Sequence, residues 1–391
     1  MAETIRSKED IRSLTIAERE AIVGRFNARI DAAIAGRLPT KDFCRLAMKR
    51  QGGPRCPVRI KRVSFDAILR YGDALADVFC EYPDDLVFAI PYDIFVGYQP
   101  ANRKDTVNPI DVLLRQAEWT DEWGTVWGHA FGGVGATPLD HPIKDWGQLD
   151  EYLAAKVPDP LAPGRLDGVQ STLAMHGKTK YCVGVVHLAL FERLHALRGM
   201  QNTFSDFCTN EEEVRRLLDV LAEYLFTLTS AWGKLGVDAI FYTDDWGTQT
   251  SLMISPAMWR SYFKEHYRRI FAEAHRCGME VMLHSCGNVT GIVSELIDVG
   301  VDVLDPIQPG AMNIDELARR FGGQLSFCGG IDIQNLLVSG SPQQIKDAVH
   351  RLIDTLGTPF GNGLIVAPAN MATPDVPLAN FRALCEAAHD Q

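Results

Sequence analysis

Apolar residues recur at helical spacing over Thr15 to Ile34 and again over Ser64 to Phe79, which predicts a helical opening to the chain as far as about Pro83. The period then changes. Asp85-Leu-Val-Phe-Ala-Ile-Pro91 is a short apolar run bounded by turn residues and predicts a buried strand. From Trp119 to Gly135 the chain is rich in tryptophan and glycine (Trp119, Trp123, Trp127, Gly132, Gly133, Gly135), a pattern that suits a hairpin or lid better than a helix. From Lys180 onward a regular alternation sets in. Apolar runs at Tyr181 to Leu190, Val237 to Thr243, Glu280 to His284, Val301 to Leu304, Gln324 to Cys328 and Gly363 to Pro368 each predict a strand. Helical stretches at Glu211 to Gly233, Pro256 to Cys277, Val289 to Val299 and Pro342 to Leu356 fill the longer gaps.

Strand and helix in alternation, without antiparallel hairpins, predict a parallel sheet with its helices outside. These six units, the strand near Leu86 and one further strand between them make an α/β fold, a (β/α)8 TIM-type barrel with an N-terminal helical extension. The expected division is 1–84 for the extension and 85–391 for a single barrel. A doubly wound sheet would open on a glycine-rich phosphate loop, and neither GxGxxG nor GxxxxGK[ST] occurs at a strand-to-helix junction.

Composition narrows the partners. The 391 residues are 46% hydrophobic and 23% charged, ample for a large core. With 39 Lys and Arg against 50 Asp and Glu, the formal charge of −11 argues against nucleic acid. No apolar run approaches the roughly 20 residues of a membrane span; the longest, Cys182 to Phe191, is interrupted by His187. The charged start, Met1 to Asp10, lacks the apolar core of a signal peptide, so a cytoplasmic location is expected. Nine cysteines form no dense paired framework and are read as thiols.

The polar residues fall where the predicted strands end. Tyr242-Thr-Asp-Asp-Trp-Gly247, His284-Ser-Cys-Gly-Asn288, Asp305-Pro-Ile-Gln-Pro309, Phe327-Cys-Gly-Gly-Ile-Asp332 and Pro368-Ala-Asn370 each follow a strand, and Asp93 follows the first. In a parallel barrel those ends share the rim on which active sites are built. His284 and Cys286, two apart, would point to one side of a strand and offer a nitrogen and a sulfur to one cation. Cys328, at the end of a later strand, would supply a third donor. The alternative is a hydrogen-bonded barrel histidine beside two packing cysteines. Asp244 and Asp245 are candidate catalytic carboxylates, or else loop caps. Tyr242, Trp246, Gln249, Gln308 and Asn370 are candidate substrate contacts. Arg55, Arg59 and Arg62 read as a solvated face, and the aromatic residues of the Trp119 to Phe131 segment as packing.

Taken together, Tyr242-Thr-Asp-Asp-Trp-Gly-Thr-Gln249, Ile254-Ser-Pro-Ala-Met-Trp259, His284-Ser-Cys-Gly287, Leu304-Asp-Pro-Ile-Gln-Pro309, Phe327-Cys-Gly-Gly-Ile-Asp332 and Pro374-Asp-Val-Pro-Leu-Ala-Asn380 resemble the uroporphyrinogen decarboxylase superfamily. More narrowly they resemble its corrinoid-linked branch of methylcobamide methyltransferases and O-demethylases. The likeness is dense from about Gly184 to the C-terminus. It implies a barrel with its pocket at the C-terminal rim. True decarboxylases carry an Arg-Gln-Ala-Gly-Arg-Tyr block whose arginines hold substrate carboxylates. Here Arg115-Gln116-Ala117-Glu118 breaks off after three residues. In the methyltransferase branch zinc is held by an H-x-C pair and by a cysteine after an Ala-Pro dipeptide. His284 and Cys286 match the pair, while the third position falls on Asn370 in Ala367-Pro-Ala-Asn370, so Cys328 is expected to replace it.

The resemblance thus implies a zinc-assisted methyltransferase that moves a methyl group between a small methylated compound and the cobalt of a corrinoid. No Asp-x-His-x-x-Gly cobalamin motif is present, so the cobalamin would arrive on a separate corrinoid protein. A monomer or a homodimer is compatible with the likeness. The alternatives are a metal-free decarboxylase or lyase and a non-catalytic small-molecule binding barrel.

Overall fold

A computed structural model describes residues 5–91, 118–129 and 136–391. Seven parallel strands form one curled sheet: β1 (Leu86–Ala89), then β5 (Tyr181–Val186), β6 (Ala239–Thr243), β7 (Glu280–His284), β8 (Val303–Ile307), β9 (Ser326–Ile331) and β10 (Leu364–Pro368), adjacent in that order. Between β1 and β5 in the chain lies a separate antiparallel sheet of β2 (Trp119–Thr120), β3 (Val126–His129) and β4 (Ala136–Asp140). The hairpin expected of the tryptophan-rich segment is therefore present in its described part; Asp93, Arg115 to Ala117, Phe131, Gly132, Gly133 and Gly135 lie outside the described residues.

The expected strand between β1 and β5 is not found among the described residues, where β1 pairs directly with β5. The gap between β10 and β1 is filled instead from upstream. The extended stretch 57–63 bonds to β10 through Val366 N–H to Pro57 O (2.8 Å) and Arg59 N–H to Val366 O (3.0 Å). On its other side Asp85 N–H, just before β1, donates to Val58 O (3.0 Å). Val58 and Ile60 alternate there with Arg59 and Lys61, but the run is short and its charged residues read as a solvated face. We keep the division into 1–84 and 85–391 as a proposal about chain order only, since this stretch of the first part serves as a barrel stave.

Both faces of the parallel sheet are buried, as such sheets require. Val183, Val185, Phe241, Met282, Val303, Cys328 and Ile365 point inward and pack on one another, whereas Ile240, Tyr242, Val281, Leu283, Leu304, Phe327 and Val366 face the surrounding helices. The helix Lys41–Met48 closes the N-terminal end: its Cys44 and Met48 join the interior cluster, and Ser326 Oγ donates to Met48 O (2.9 Å). Among the described residues this helix covers the end of the barrel opposite the C-terminal rim. The predicted helix over Ser64 to Phe79 is two helices, Phe65–Tyr71 and Asp73–Glu81, broken at Gly72, whose φ of +50° suits glycine. Among the described residues no helix is long and apolar enough to cross a membrane.

Candidate functional site

Strand alternation places His284 inside the barrel. Met282 points inward and Leu283 outward, so His284, two residues beyond Met282, continues the interior row at the rim. In register with it are Thr243 on β6 and Asp305 on β8. His284 Nδ1 lies 2.6 Å from Asp305 Oδ1 and 3.1 Å from Arg62 Nη2; the shorter contact, to a carboxylate that can only accept, assigns the proton to Nδ1 and leaves the Nε2 lone pair facing the rim. Nε2 in turn lies 3.3 Å from Cys286 Sγ and 3.7 Å from Asp245 Oδ1.

The loops after β6 and β7 are zipped together. Asp245 Oδ1 accepts the Cys286 N–H (2.8 Å), Ser285 Oγ accepts the Trp246 N–H (2.9 Å) and Thr248 O accepts the Asn288 N–H (2.7 Å). Such close approach demands glycine on both sides: a Cβ on Gly247 would sit 2.6 Å from Cys286 O, and one on Gly287, at φ +79°, 2.5 Å from Gly247 O. Asp245, His284 and Cys286 thus offer three donor atoms within 4.8 Å of one another, the group among the described residues best placed to hold a metal ion. Asn370, after β10, directs Nδ2 at Cys286 Sγ (3.3 Å) and accepts the Met371 N–H on Oδ1 (2.7 Å).

The electrostatics suit a cation. Burial, and then the neighbouring Asp245 charge, push the Cys286 thiol well above its usual range. Asp305 is fully buried; burial would raise it, but Arg62, His284 and Arg59 hold its carboxyl far below the ordinary value. Histidine, thiol and carboxylate are zinc donors, and a histidine whose other nitrogen donates to a carboxylate is the usual outer arrangement of such a site. The residues present therefore fit a zinc ion.

Several expected site residues lie elsewhere. Cys328 falls outside the three-donor group. Its strand runs on to Ile331, so the residue sits in mid-strand, one layer below the rim, beside Met282 and Val303. Asp244 faces outward and is fully buried. It accepts the N–H of Phe191 (3.0 Å) and of Glu192 (2.7 Å), at the start of the helix Leu190–Arg198, and the hydroxyl of Tyr267. Burial pushes its pKa up to about 7. Tyr242 points away from the interior and bonds Thr229 Oγ1 (2.6 Å). Trp246 is buried and stacks on Phe191 at 4.4 Å. None of these three can touch a ligand at the rim, because adjacent residues on a strand end face opposite sides. Asp244→Asn should therefore act on stability: one of its carboxylate oxygens becomes a donor facing backbone donors, a cost of about 1–3 kcal/mol. A thermal melt would check the loss, and unchanged zinc content would separate Asp244 from Asp245.

Gln249 and Gln308 do lie on the rim, joined by a 2.9 Å hydrogen bond, with Gln334 at 3.5 Å from Gln249. Arg55, Arg59 and Arg62 are not a solvated face. Arg55 forms a two-pronged pair with Asp85 (2.7 and 2.9 Å), and Arg59 and Arg62 reach Asp305 inside the barrel. Sequence reasoning also missed Glu192, whose Oε2 accepts from Thr243 Oγ1 (3.1 Å), and His187, whose Nδ1 lies 3.0 Å from the same hydroxyl. Burial lowers the His187 pKa to about 4 and raises Glu192 well above the carboxylate range. The alternation of Val58 and Ile60 with Arg59 was the available signal for an inward-facing arginine. A separate cavity, lined by His187, Arg193, Asp121, Trp123 and Tyr224, opens beside β5 without touching the three-donor group.

The family described as uroporphyrinogen decarboxylase (URO-D) matches residues 139–391 of this chain. Two relatives are methylcobamide:CoM methyltransferases MtbA. That of Methanosarcina mazei is 22% identical over 255 residues, covering 64% of this chain and 70% of its own length. That of Methanosarcina acetivorans is 23% identical over 250 residues, with the same coverage of 64% and 70%. Among solved structures, a methyltransferase from Methanosarcina mazei superposes with a TM-score of 0.66 at 18% identity, over 90% of this chain and 98% of that one; this likeness concerns the fold.

Proposed function

The chain belongs to the uroporphyrinogen decarboxylase family, and from that premise we propose that it is a corrinoid-dependent methyltransferase. It would move a methyl group between a small methylated compound and the cobalt of a cobalamin carried by a separate protein. The observation that carries this reading is the three-donor group of Asp245, His284 and Cys286 at the rim of a barrel whose relatives are methylcobamide methyltransferases. In this reading Asp245 takes the ligand role that sequence reasoning gave to Cys328, and Asn370 stands at the position of the branch's second cysteine.

Zinc, when bound by these three residues, acts as a Lewis acid that favours thiolate over thiol and lowers the charge on a substrate heteroatom. The chain's own residues have separate tasks. Asp305 keeps the His284 proton on Nδ1 and so keeps Nε2 a donor atom. Asp245 orients Cys286 through the backbone N–H, and Asn370 Nδ2 donates to Sγ, which favours the thiolate. Methyl transfer is an in-line displacement, so the remaining requirement is position: the helix Lys41–Met48 covers the lower end of the barrel, and substrate and cobalt would approach at the rim. A carboxylate in place of a second thiolate makes a harder donor set, better matched to an oxygen- or nitrogen-bound methyl group than to a thiol.

Metal analysis tests the first half of the proposal. Protein purified without chelator is expected to hold about one equivalent of zinc, and less than about 0.2 equivalent with no rebinding would overturn the metal site. The second half is tested by mixing the loaded protein with Co(I) cobalamin and a panel of methyl ethers, amines and thioethers while following the cobalt absorption. Growth of methylcobalamin with one class, above the protein-free rate, is the expected outcome; none with any class, alongside full zinc occupancy, would reject methyl transfer.

A further inference from the structure

A second polar cluster adjoins the three-donor group. Thr243, two residues beyond the inward-facing Phe241, ends β6 on the interior side and is in register with His284 on the neighbouring strand. Its hydroxyl accepts the Leu188 N–H (2.9 Å), donates to Glu192 Oε2 (3.1 Å) and lies 3.0 Å from His187 Nδ1. Glu192 belongs to the first turn of the helix Leu190–Arg198, whose start is fixed by the bonds of the Phe191 and Glu192 N–H groups to Asp244. The carboxyl thus reaches over the end of β6 to a side chain in the same layer as His284.

The bonds decide where a proton on Glu192 would sit. A hydroxyl has one proton and two lone pairs. That of Thr243 spends its proton on Oε2, so the lone pairs take the Leu188 N–H and His187 Nδ1–H, which fixes the tautomer of a histidine that burial keeps neutral. Oε2 is therefore held as an acceptor, and the place for a proton is Oε1. This second oxygen has no hydrogen-bond partner among the described residues and is not sealed from solvent. Burial, and then the charges of Asp245 and Asp244, favour the protonated carboxyl, against Thr243 and Arg193. Arg193 is itself engaged by Asp121 (2.6 Å). The other ionisable groups facing the pair are His284, near His187, and Tyr267 on the helix Lys264–Arg276, whose hydroxyl is bound to Asp244.

We propose that Glu192 is the acid–base residue of the methyl transfer, giving its Oε1 proton to the heteroatom that loses a methyl group and, in the opposite direction, taking the proton of the heteroatom that gains one. This role rests on the proposed methyl transfer; Thr243 and His187 are its positioning residues. In the forward step the bond from the methyl carbon to the heteroatom breaks with its pair left on the heteroatom. The methyl group joins the Co(I) corrinoid through the cobalt's own electron pair, and the heteroatom takes the Glu192 proton. Solvent returns a proton to the carboxylate, so the step consumes one proton per methyl group and needs no outside oxidant or reductant.

Infrared spectra of the purified protein test the acid itself. A protonated-carboxyl band present in the wild type at neutral pH and missing from Glu192→Gln is the expected result; identical spectra would overturn the proposal whatever the transfer assay shows. Thr243→Val removes a donor to the carboxylate, so its band should persist to higher pH. Transfer is then followed by cobalt absorption with Co(I) cobalamin and the panel of methyl ethers, amines and thioethers. Glu192→Gln is expected to lower kcat by about 100-fold or more, the range of general acid catalysis, with KM and zinc content near wild type. Because the protonated form is the active one, wild-type kcat should fall as the pH rises through the Glu192 titration. That limb should vanish in Glu192→Gln and move to higher pH in Thr243→Val, which carries the test if the first variant fails to fold. An unchanged kcat in Glu192→Gln, or a limb that neither variant moves, would overturn the role while leaving methyl transfer in place. A wild type that transfers from no donor rejects methyl transfer and this role together, and the infrared band tells that failure from the absence of a buried acid.

Discussion

Cys286→Ser is expected to abolish methyl transfer and to weaken zinc binding by more than about 100-fold, beyond the range seen when an outer partner of a ligand is lost. The reason lies in the donor set. Of Asp245, His284 and Cys286 only the last supplies a soft, fully charged donor once deprotonated, and a serine hydroxyl neither ionises at neutral pH nor suits zinc. Residual zinc after dialysis against a competing chelator measures the first effect and cobalt absorption the second. Cys328→Ser is the matched control. That thiol is fully buried in mid-strand, so its loss should lower the melting temperature and leave zinc content near wild type. If Cys328→Ser rather than Cys286→Ser empties the site, the assignment of ligands is wrong.

Asp305→Asn is expected to damage both stability and the metal site. The carboxylate neutralises Arg59 and Arg62 and holds His284 in one tautomer, and none of it is exposed. Removing one partner of a buried ion pair costs about 3–5 kcal/mol, because the other charge stays behind without compensation. Loss of the histidine's outer carboxylate lowers metal affinity by about 10–100-fold. The pH dependence gives the effect a signature. Asp305 is held below its ordinary pKa, so its contribution is complete above about pH 4, where the unfolded chain is also ionised, and fades as the pH falls further. Wild type and Asp305→Asn should therefore differ most in denaturant melts near neutral pH and converge in acid. A constant gap between pH 7 and pH 3 would show that packing, and not charge, is the source.

Much of this was legible along the chain. The alternation from Tyr181 to Pro368 announces a parallel barrel because each strand must bury both faces while each helix buries one. The H-x-C pair was visible as a candidate ligand motif, although β7 ends at His284 and the loop bond to Asp245, not strand alternation, keeps Cys286 beside it. Strand ends were less legible. A predicted end at Cys328 put that thiol on the rim, whereas three more paired residues lower it by a layer. The same displacement, β8 running to Ile307 instead of Leu304, brings Asp305 inside as the partner of His284. Local apolar runs mark where a strand is buried, but pairing continues through Gly329 and Gly330, which no hydrophobic pattern records.

By itself, the sequence determined the class of fold and marked the rim as the candidate place of chemistry and His284 with Cys286 as candidate ligands, all of which follow from local periodicity and residue type. Only the tertiary structure decided which neighbours complete the group. Asp245 is brought to Cys286 by two glycine loops touching across adjacent strands, Asn370 arrives from the last strand, and Arg59 and Arg62 come from a stretch more than 200 residues upstream of the histidine they flank. The first contact depends on the pairing of neighbouring strands and the others on barrel closure, and both set distances between residues remote in the chain. One-dimensional spacing has no term for that distance, and so an inward-facing arginine reads as a solvated one until the stave that carries it is seen between β10 and β1.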